Sequence, residues 1–247
     1  MYQGKTRITY YDLDFRGNVK LSAILRIAHI AADINANELG IGFNTLHPLN
    51  ISFVLQRYGV KIARMPKYDE TVTVRTWPAE IVRGTFIRNG DMHDACNNKI
   101  MEWSSLWLLF DIAERKILKP SALPIEIPTV TDFGVDIKPE RVIMPADATP
   151  FSEHIHSARY ADIDTNMHMN NSIYGDLIGN AAFPVLDSEN YPHWKEVQIN
   201  YLGETRPGDQ IKITALKSSN AALQSGEACF VNGEVDGRTS FAARITS

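Results

Sequence analysis

The spacing of apolar and polar positions divides the chain into two halves of similar organisation. In each half a helical apolar pattern comes first, and runs rich in alternating Val, Ile, Thr and aromatic residues follow it. The first helical pattern extends from about Leu21 to Leu39 and is apolar around most of its circumference, which predicts a buried helix. The second pattern has its apolar residues at Ile173, Leu177, Ile178, Ala181 and Ala182.

The alternating runs predict four strands after each helix. The predicted strands are 51–63, 70–82, 84–92 and 100–112 in the first half, and 194–203, 209–218, 222–231 and 234–245 in the second. Turn signals such as Asn232-Gly233 and Asp236-Gly237 favour antiparallel hairpins. We therefore predict an α+β fold in which one long central helix is wrapped by a curved antiparallel β-sheet, and this unit occurs twice in tandem.

Six of the 12 prolines lie between Pro120 and Pro150. Proline at this density interrupts both helices and sheets, so the segment is interpreted as an ordered linker. The predicted organisation is an N-terminal repeat over 1–125, a Pro-rich linker over 126–150 and a C-terminal repeat over 151–247.

The two halves also share a short polar motif. Residues 11–18 (YDLDFRGN) align with residues 161–168 (ADIDTNMH) at an offset of 150 residues, and each run leads into a helical pattern. The positions equivalent to Asn166 and His168 are Arg16 and Asn18. Because the first copy lacks the imidazole, we expect only the C-terminal repeat to be catalytic.

Asp164, Asn166 and His168 are the strongest candidates for chemistry. They lie at i, i+2 and i+4, and in an extended segment this period places all three side chains on one side of the backbone. An acid, an amide and an imidazole side by side can orient a proton and donate hydrogen bonds.

Three other interpretations of this run, a helix cap, a calcium loop and a zinc site, account for it less well. Asn170, Asn171 or Ser172 can cap the following helix, but capping explains neither the upstream spacing nor the histidine. A calcium loop of the EF-hand type requires Gly at its sixth position and Glu at its twelfth, where this chain has Met167 and Ile173. No second His or Cys lies nearby at zinc-ligand spacing. The sequence therefore predicts no metal.

Composition and charge narrow the class of protein. The chain of 247 residues is 44% hydrophobic and 22% charged, which is typical of a globular protein. It contains two cysteines, no apolar run long enough to span a bilayer, and no recognisable leader at the N-terminus, so we expect a cytoplasmic location. There is no basic excess and no nucleic-acid-binding motif.

The net charge of −4 is unevenly distributed, with a net +3 over residues 1–130 and a net −7 over the rest. Much of the positive charge lies between Arg57 and Arg88, at Lys61, Arg64, Lys67, Arg75 and Arg83. Such a stretch either steers an acidic partner or belongs to ordinary solvated strands.

The run from Asp164 to Asn171, Asp-x-Asn-x-His-x-Asn-Asn, resembles the signature of the acyl-acyl carrier protein (acyl-ACP) thioesterases, and the resemblance covers essentially the whole chain. It implies a double hotdog fold and hydrolysis of acyl-ACP to free fatty acid and carrier, with no cofactor. The family's further acidic residue matches Glu204. Plant members often carry cysteine at the next position, where this chain has Thr205, so the resemblance does not imply a thiol nucleophile.

The resemblance implies roles for four residues. Glu204 would activate water, His168 would orient the water or donate to the thioester, Asn166 would position the water or the carbonyl, and Asp164 would hold the other two. Whether Glu204 or Asp164 is the base or nucleophile stays open. Backbone donors beyond Asn170, at the start of the helix, would contribute to stabilising the oxyanion.

The resemblance also implies that the first repeat houses the acyl chain. Six residues are plausible as its lining and equally plausible as ordinary core, namely Ile24, Ile27, Ala28, Ile51, Phe53 and Trp77. The expected partner is acyl carrier protein with a bound acyl chain, and a homodimer is left open. The alternative functions are a hotdog acyl-CoA thioesterase or dehydratase, and a non-catalytic module that binds the acyl carrier.

Overall fold

Antiparallel strands, a few helices and short turns account for most of the chain in a computed structural model, which describes residues 1–186, 194–218 and 228–246. The helices are α1 (Leu21–Glu38), α2 (Phe43–Leu46) and α3 (Ile173–Leu186). Single 3₁₀ turns lie at Tyr10–Asp12, His47–Leu49, Pro120–Ala122 and Tyr160–Asp162. No helix among the described residues has the length and apolar character that crossing a membrane requires.

The strands fall into two sets, one before and one after the Pro-rich segment. The first set is β1 (Tyr2–Arg7), β2 (Ile51–Ile62), β3 (Thr71–Val82), β4 (Thr85–His93), β5 (Lys99–Asp111) and β6 (Lys116–Leu118). The second set is β7 (Thr149–Ser157), β8 (Glu196–Tyr201), β9 (Gln210–Lys217), β10 (Ala228–Val235) and β11 (Arg238–Thr246).

The chain divides into two compact units. The N-terminal unit comprises Met1–Asp12 and Arg26–Pro139, and the C-terminal unit comprises Leu13–Leu25 and the described residues from Glu140 onward. In the N-terminal unit the strand order is β1-β3-β4-β5-β2, with β6 paired to β5. In the C-terminal unit it is β8-β11-β10-β9-β7. Every pair within these orders is antiparallel, which confirms the predicted α+β class with antiparallel sheets.

Helix α1 begins at the predicted residue and ends one residue early, but only its N-terminal part is buried all round. Residues 21–25 are all buried, whereas Ile30 and Ile34 are 52% and 37% exposed. The expectation of a helix buried around its whole circumference was therefore wrong for its second half. An apolar periodicity reports residue type, and it cannot show whether a neighbour covers each face.

Helix α3 buries the predicted apolar positions Leu177, Ile178, Ala181 and Ala182. At its start the backbone of α1 passes very close. A Cβ built on Gly175 would lie 2.6 Å from the backbone nitrogen of Ser22, so only glycine fits there. Ser22 Oγ donates to Asp176 Oδ1 at 2.5 Å beside this contact.

Two turn signals of the same kind behave differently. Asp236 and Gly237 both have positive φ and form the β10–β11 turn, as predicted. Asn232-Gly233 instead lies inside β10, where a Cβ on Gly233 would collide with the Phe241 ring at 2.0 Å. That glycine serves packing rather than a turn, so the prediction was wrong there. The part of the predicted strand 222–231 that covers 222–227 lies outside the described residues.

The Pro-rich segment runs along the N-terminal sheet on the side away from α1. The Phe133 ring packs against Trp77 at 5.7 Å between centroids, and the Val130 N–H donates to the Pro78 carbonyl. Arg88 on β4 faces α1, so the next residue, Asn89, points to the other face of the sheet. Trp77 lies directly opposite Asn89 and therefore also points away from α1. Trp77 was therefore wrongly placed among the residues expected to line an acyl pocket.

In the C-terminal unit the backbone of the segment around residues 140–142 bonds to the amide side chains of Asn200 and Gln198 on β8. Asn200 accepts a hydrogen bond from the Val142 N–H at 2.8 Å and donates one to the Glu140 carbonyl at 2.7 Å. Gln198 accepts from the Glu140 N–H at 2.9 Å. Asn200 and Gln198 are each only 1% exposed, so these bonds satisfy buried amides.

Candidate active site

The motif Asp164–His168 forms a tight hairpin loop, not an extended segment. Ile163 and Met169 face each other across the loop, and the Asp164 N–H donates to the His168 carbonyl at 2.9 Å. Met167 completes the turn with a left-handed φ of 61°. The period-two argument from the sequence was therefore wrong, because the side chains do not alternate along a strand here.

The Asp164 carboxylate is bound to its own loop. Its Oδ1 accepts a hydrogen bond from the Asn166 N–H at 2.8 Å. The first copy of the motif repeats this bond, with Asp14 Oδ1 accepting from the Arg16 N–H at 2.9 Å. A third loop does the same at Asp94, which accepts from the Cys96 N–H. Asp164 therefore shapes its loop as its equivalent Asp14 and the unrelated Asp94 shape theirs, and the loop shape alone carries no chemistry.

His168 and Glu204 meet at the end of this loop. His168 Nε2 lies 3.1 Å from Glu204 Oε2, and Arg206 Nη2 lies 3.0 Å from the same oxygen. About a third of the surface of each of the His168 and Glu204 side chains is exposed. The Glu204 carboxylate therefore lies between an imidazole and a guanidinium, and a carboxylate within hydrogen-bond reach of a water can act as its general base.

The other two predicted residues are not drawn into this contact. Asn166 is exposed, and within the described residues its side chain makes no hydrogen bond to His168 or Glu204. The Asp164 carboxylate bonds to the backbone N–H of Asn166 and not to its side chain. Of the four predicted residues, the structure thus joins one pair directly, and the sequence analysis missed Arg206 as the partner of Glu204. The sequence signal that could have identified Arg206 is that it follows Glu204 by two residues and has the opposite charge.

A buried hydroxyl network supports the Glu204 segment. Thr205, fully buried, accepts from Tyr174 at 3.1 Å and lies 2.8 Å from Ser240 Oγ. Burial raises the pKa of Tyr174, so its hydroxyl stays a donor. The Thr205 carbonyl also accepts the Met169 N–H at 2.8 Å. This last bond fastens the Glu204 segment to the loop that ends in His168.

The start of α3 satisfies most of its own donors. Asn170 Oδ1 accepts the Ser172 N–H at 2.9 Å and the Ser172 hydroxyl at 2.7 Å, while the Ile173 and Gly175 N–H groups bond to preceding carbonyls. Asn170 is thus the side chain that caps this end. Fewer backbone donors are left for an oxyanion than the sequence led us to expect.

The fold is that of hotdog-type thioesterases. The chain superposes on an acyl-ACP thioesterase from Bacteroides thetaiotaomicron with a TM-score of 0.82 at 22% identity, covering 99% of this chain and 96% of that one. The 12:0-ACP thioesterase of Umbellularia californica gives a TM-score of 0.79 at 18% identity, covering 99% and 92%. A model of the acyl-ACP thioesterase N-terminal domain matches residues 1–122, and one of the C-terminal domain matches residues 146–246. The chain belongs to the acyl-ACP thioesterase family.

Two plant relatives agree with this assignment. The chain is 24% identical over 169 residues to a chloroplastic palmitoyl-acyl carrier protein thioesterase of Gossypium hirsutum, covering 62% of this chain and 40% of that one. It is 26% identical over 151 residues to the chloroplastic acyl-[acyl-carrier-protein] hydrolase FATB2 of Cuphea viscosissima, covering 58% and 37%. The match therefore spans about two fifths of the length of these curated relatives.

Proposed function

We propose that this protein hydrolyses the thioester of acyl-ACP and releases free fatty acid and carrier. The observation that carries the proposal is the contact between His168 Nε2 and Glu204 Oε2 at 3.1 Å, in a chain of the acyl-ACP thioesterase family. A water activated at this pair supplies the nucleophile that thioester hydrolysis requires.

Glu204 is the base in this proposal. Its carboxylate accepts a proton from water, the water oxygen attacks the thioester carbonyl carbon, and the carbon–sulfur bond breaks with the thiol as leaving group. Asp164 is the alternative base, and hydrogen bonding does not rank the two carboxylates, since Asp164 Oδ1 accepts from the Asn166 N–H and Glu204 Oε2 accepts from Arg206. Glu204 is preferred because its carboxylate contacts the His168 imidazole directly. His168 orients the water, takes the proton from Glu204 across this contact and passes it to the leaving sulfur, while Asn166 donates to the carbonyl oxygen.

The proposed architecture is a double hotdog, with an acyl-binding repeat at 1–125, a linker at 126–150 and a catalytic repeat at 151–247. The order of elements supports it, since in each half a loop of this shape is followed by a helix and then by antiparallel strands. The relatives are named for palmitoyl and 12:0 chains, so they assign no single chain length to this protein. The cytoplasmic location and the homodimer stay predictions.

The test is steady-state release of carrier thiol from a panel of acyl-ACPs by the wild type, His168→Ala and Glu204→Gln. We expect each substitution to lower kcat by about 100-fold or more, the usual contribution of a general acid or base. His154→Ala is the matched control, since it removes an imidazole from the same unit outside the pair and is expected to keep normal turnover.

The panel also separates the alternatives. Acyl-CoA substrates are assayed beside acyl-ACP, and faster thiol release from them would move the assignment to a CoA thioesterase. Conversion of a 3-hydroxyacyl substrate to the 2,3-enoyl thioester, without release of thiol, would move it to a dehydratase. Near-normal turnover in both His168→Ala and Glu204→Gln, with native circular dichroism, would refute the site. No hydrolysis of any substrate by the wild type would indicate a binding module.

A further inference from the structure

A row of polar side chains crosses the helix-facing side of the N-terminal sheet. Tyr58 on β2 lies directly opposite Ser105 on β5, and Ser105 lies opposite Arg88 on β4. Directly opposite residues share one face of a sheet. Arg88 Nη1 donates to Asn35 Oδ1 of α1 at 2.9 Å, so this face is the one turned toward the helix. We call these three residues the Arg88 row.

The His29 and Trp107 side chains pack beside the Arg88 row and carry no charge at neutral pH. The His29 ring of α1 lies 5.8 Å from the Tyr58 ring and 6.0 Å from the Trp107 ring, and Trp107 Nε1 donates to Ser105 Oγ at 2.8 Å. Burial lowers the pKa of His29 to about 4, so this imidazole is neutral at pH 7. The His29 Nε2 atom is buried and has no hydrogen-bond partner within the described part of the chain.

The positive charge of Arg88 has only neutral partners among the residues that the structure describes. Nη1 donates to Asn35 and, at 3.3 Å, to Thr76 Oγ1. Glu38 is connected to Arg88 only through the Asn35 amide, whose Nδ2 donates to it at 3.5 Å. Burial lowers the pKa of Arg88 to about 10, which leaves it charged at neutral pH.

Two other partly buried arginines of the N-terminal unit, Arg75 on β3 and Arg64 after β2, are paired with carboxylates. Arg75 holds Asp91 through two bonds, of 2.7 and 2.5 Å. Arg64 likewise bonds to both Glu70 and Asp94. Because a largely buried charge without a counter-ion is costly, the unmatched guanidinium of Arg88 is an exception that requires a reason.

An apolar surface begins beside the cation. Phe86 lies two residues before Arg88 on β4 and therefore points to the same face. It belongs to a buried cluster with Ile41, Leu46, Leu109 and Ile127, against which Phe53 and Trp107 pack. A group that complements both features carries a negative charge at one end and an aliphatic chain at the other.

We propose that the Arg88 row binds a carboxylate carried on an aliphatic chain. The Nη2 and Nε groups of Arg88, which donate to no other described residue, match the two oxygens of a carboxylate in a forked arrangement. The chain then lies along the cluster around Phe86. Arg88, His29 and Trp107 all keep accessible surface, and the site uses neither His168 nor Glu204.

Binding of decanoate and of 1-decanol is the direct test, because the two ligands differ only in the head group. Titration followed by tryptophan fluorescence, with calorimetry as a second readout, compares the wild type with Arg88→Met. We expect the wild type to prefer decanoate by at least about tenfold, as for one charge-assisted pair, and Arg88→Met to lose this preference. Arg83→Met, which removes the same charge from the exposed β3–β4 turn, should keep it.

A purely structural role for Arg88 makes a different prediction. If Arg88 only bridges Asn35 and Thr76, both ligands bind alike in the wild type, which would overturn the proposal. If it is also a binding cation, Arg88→Lys keeps part of the preference for decanoate. Preference for decanoate that survives in Arg88→Met would also overturn it.

The carboxylate has two candidate sources, a free fatty acid and the far end of an acyl substrate. Turnover of an acyl-ACP with a terminal carboxyl group is compared with that of its methyl-terminated counterpart, an arm that rests on the proposed function. A preference for the carboxyl-terminated chain that disappears in Arg88→Met assigns the site to the substrate. Decanoate binding without that preference assigns it to free fatty acid, and both results support the carboxylate site.

Discussion

At the scale of single residues, Met167 holds a backbone conformation that favours glycine. Its φ is 61°, and the equivalent residue of the first repeat is Gly17 with φ 83°. The left-handed region costs an L-residue about 1–2 kcal/mol, whereas glycine loses about 0.4–1 kcal/mol through chain entropy. Since the Met167 side chain is 64% exposed, Met167→Gly should raise the free energy of unfolding by up to about 1 kcal/mol in urea denaturation.

Asn97→Gly is the matched control for Met167. Asn97 occupies the same position in the third loop of this shape, with φ 65°, and asparagine tolerates that region well. The gain should therefore be smaller than for Met167→Gly. A loss of stability in Met167→Gly would show that its side chain makes contacts that outweigh the backbone strain.

The Thr205 hydroxyl group links Tyr174 of α3 to Ser240 of β11, next to Glu204 in the chain. Thr205→Val keeps the shape but removes the acceptor of the Tyr174 hydroxyl at a fully buried position. We expect the free energy of unfolding to fall by about 1–3 kcal/mol, the cost of an unsatisfied buried polar group. Ser157→Ala, which removes an exposed hydroxyl bonded to Gln210, should change it by less than about 0.5 kcal/mol. Equal losses in both variants would contradict the argument.

At the scale of elements, the packing of α1 on the N-terminal sheet depends on a neutral His29. The folded pKa of about 4 lies below the usual value of about 6.5. Above pH 6.5 both the folded and the unfolded chain are neutral there. As the pH falls from 6.5 to 4, the unfolded chain binds a proton that the folded chain does not, so stability falls, by roughly 3 kcal/mol at most.

His29→Gln tests this dependence by removing the titration. The free energy of unfolding of the variant should vary less between pH 6.5 and pH 4 than that of the wild type, as measured by denaturant titrations at fixed pH. His154→Gln is the control, because His154 is a partly exposed histidine of the C-terminal unit whose pKa is lowered by burial and by the neighbouring His156. Parallel pH profiles for the wild type and His29→Gln would show that His29 is protonated in the folded protein.

The strands that could be predicted from the sequence are those with several buried residues. β2 to β5 begin and end within one residue of the predicted strands, because each is rich in Val, Ile, Thr or aromatic residues and contributes buried side chains to the core. β1 and β7 escaped prediction, since neither contains a fully buried side chain and β7 includes Pro150. Such strands are stabilised by backbone hydrogen bonds to the adjacent strand, and the residue types along the chain do not reveal those bonds.

In the candidate site, too, some features could be predicted from the sequence and others could not. The resemblance singled out His168 and Glu204, although 36 residues separate them and no spacing rule relates them. Their contact depends on the Met169 N–H bonding to the Thr205 carbonyl, which is a tertiary event. The loop at Asp164 was misjudged because its side chain bonds to the local backbone, and a period-two pattern does not reveal that competition.

At the scale of the whole molecule, three of the seven cations between Arg57 and Arg88 are neutralised by carboxylates of the same unit. Lys61 lies 3.6 Å from Asp136, Arg64 bonds to Glu70 and Arg75 to Asp91. Hydrogen bonding to Arg64 lowers the pKa of Glu70, as expected for a stable pair. Arg88 faces α1, and within the described part of the chain Arg57, Lys67 and Arg83 form no ion pair. We therefore expect these last three to be the cations that attract an acidic carrier.

The triple variant Arg57→Gln, Lys67→Gln, Arg83→Gln tests that assignment. We expect it to raise KM for acyl-ACP at low ionic strength, with kcat unchanged, and to weaken the rise of KM with salt, because screened attraction between exposed charges is the quantity removed. The control neutralises Lys5, Lys116 and Lys119, which are exposed cations of the same unit outside the stretch, and therefore matches the change in net charge. If both triple variants shift KM equally, the carrier responds to total charge, and the stretch has no special part in docking.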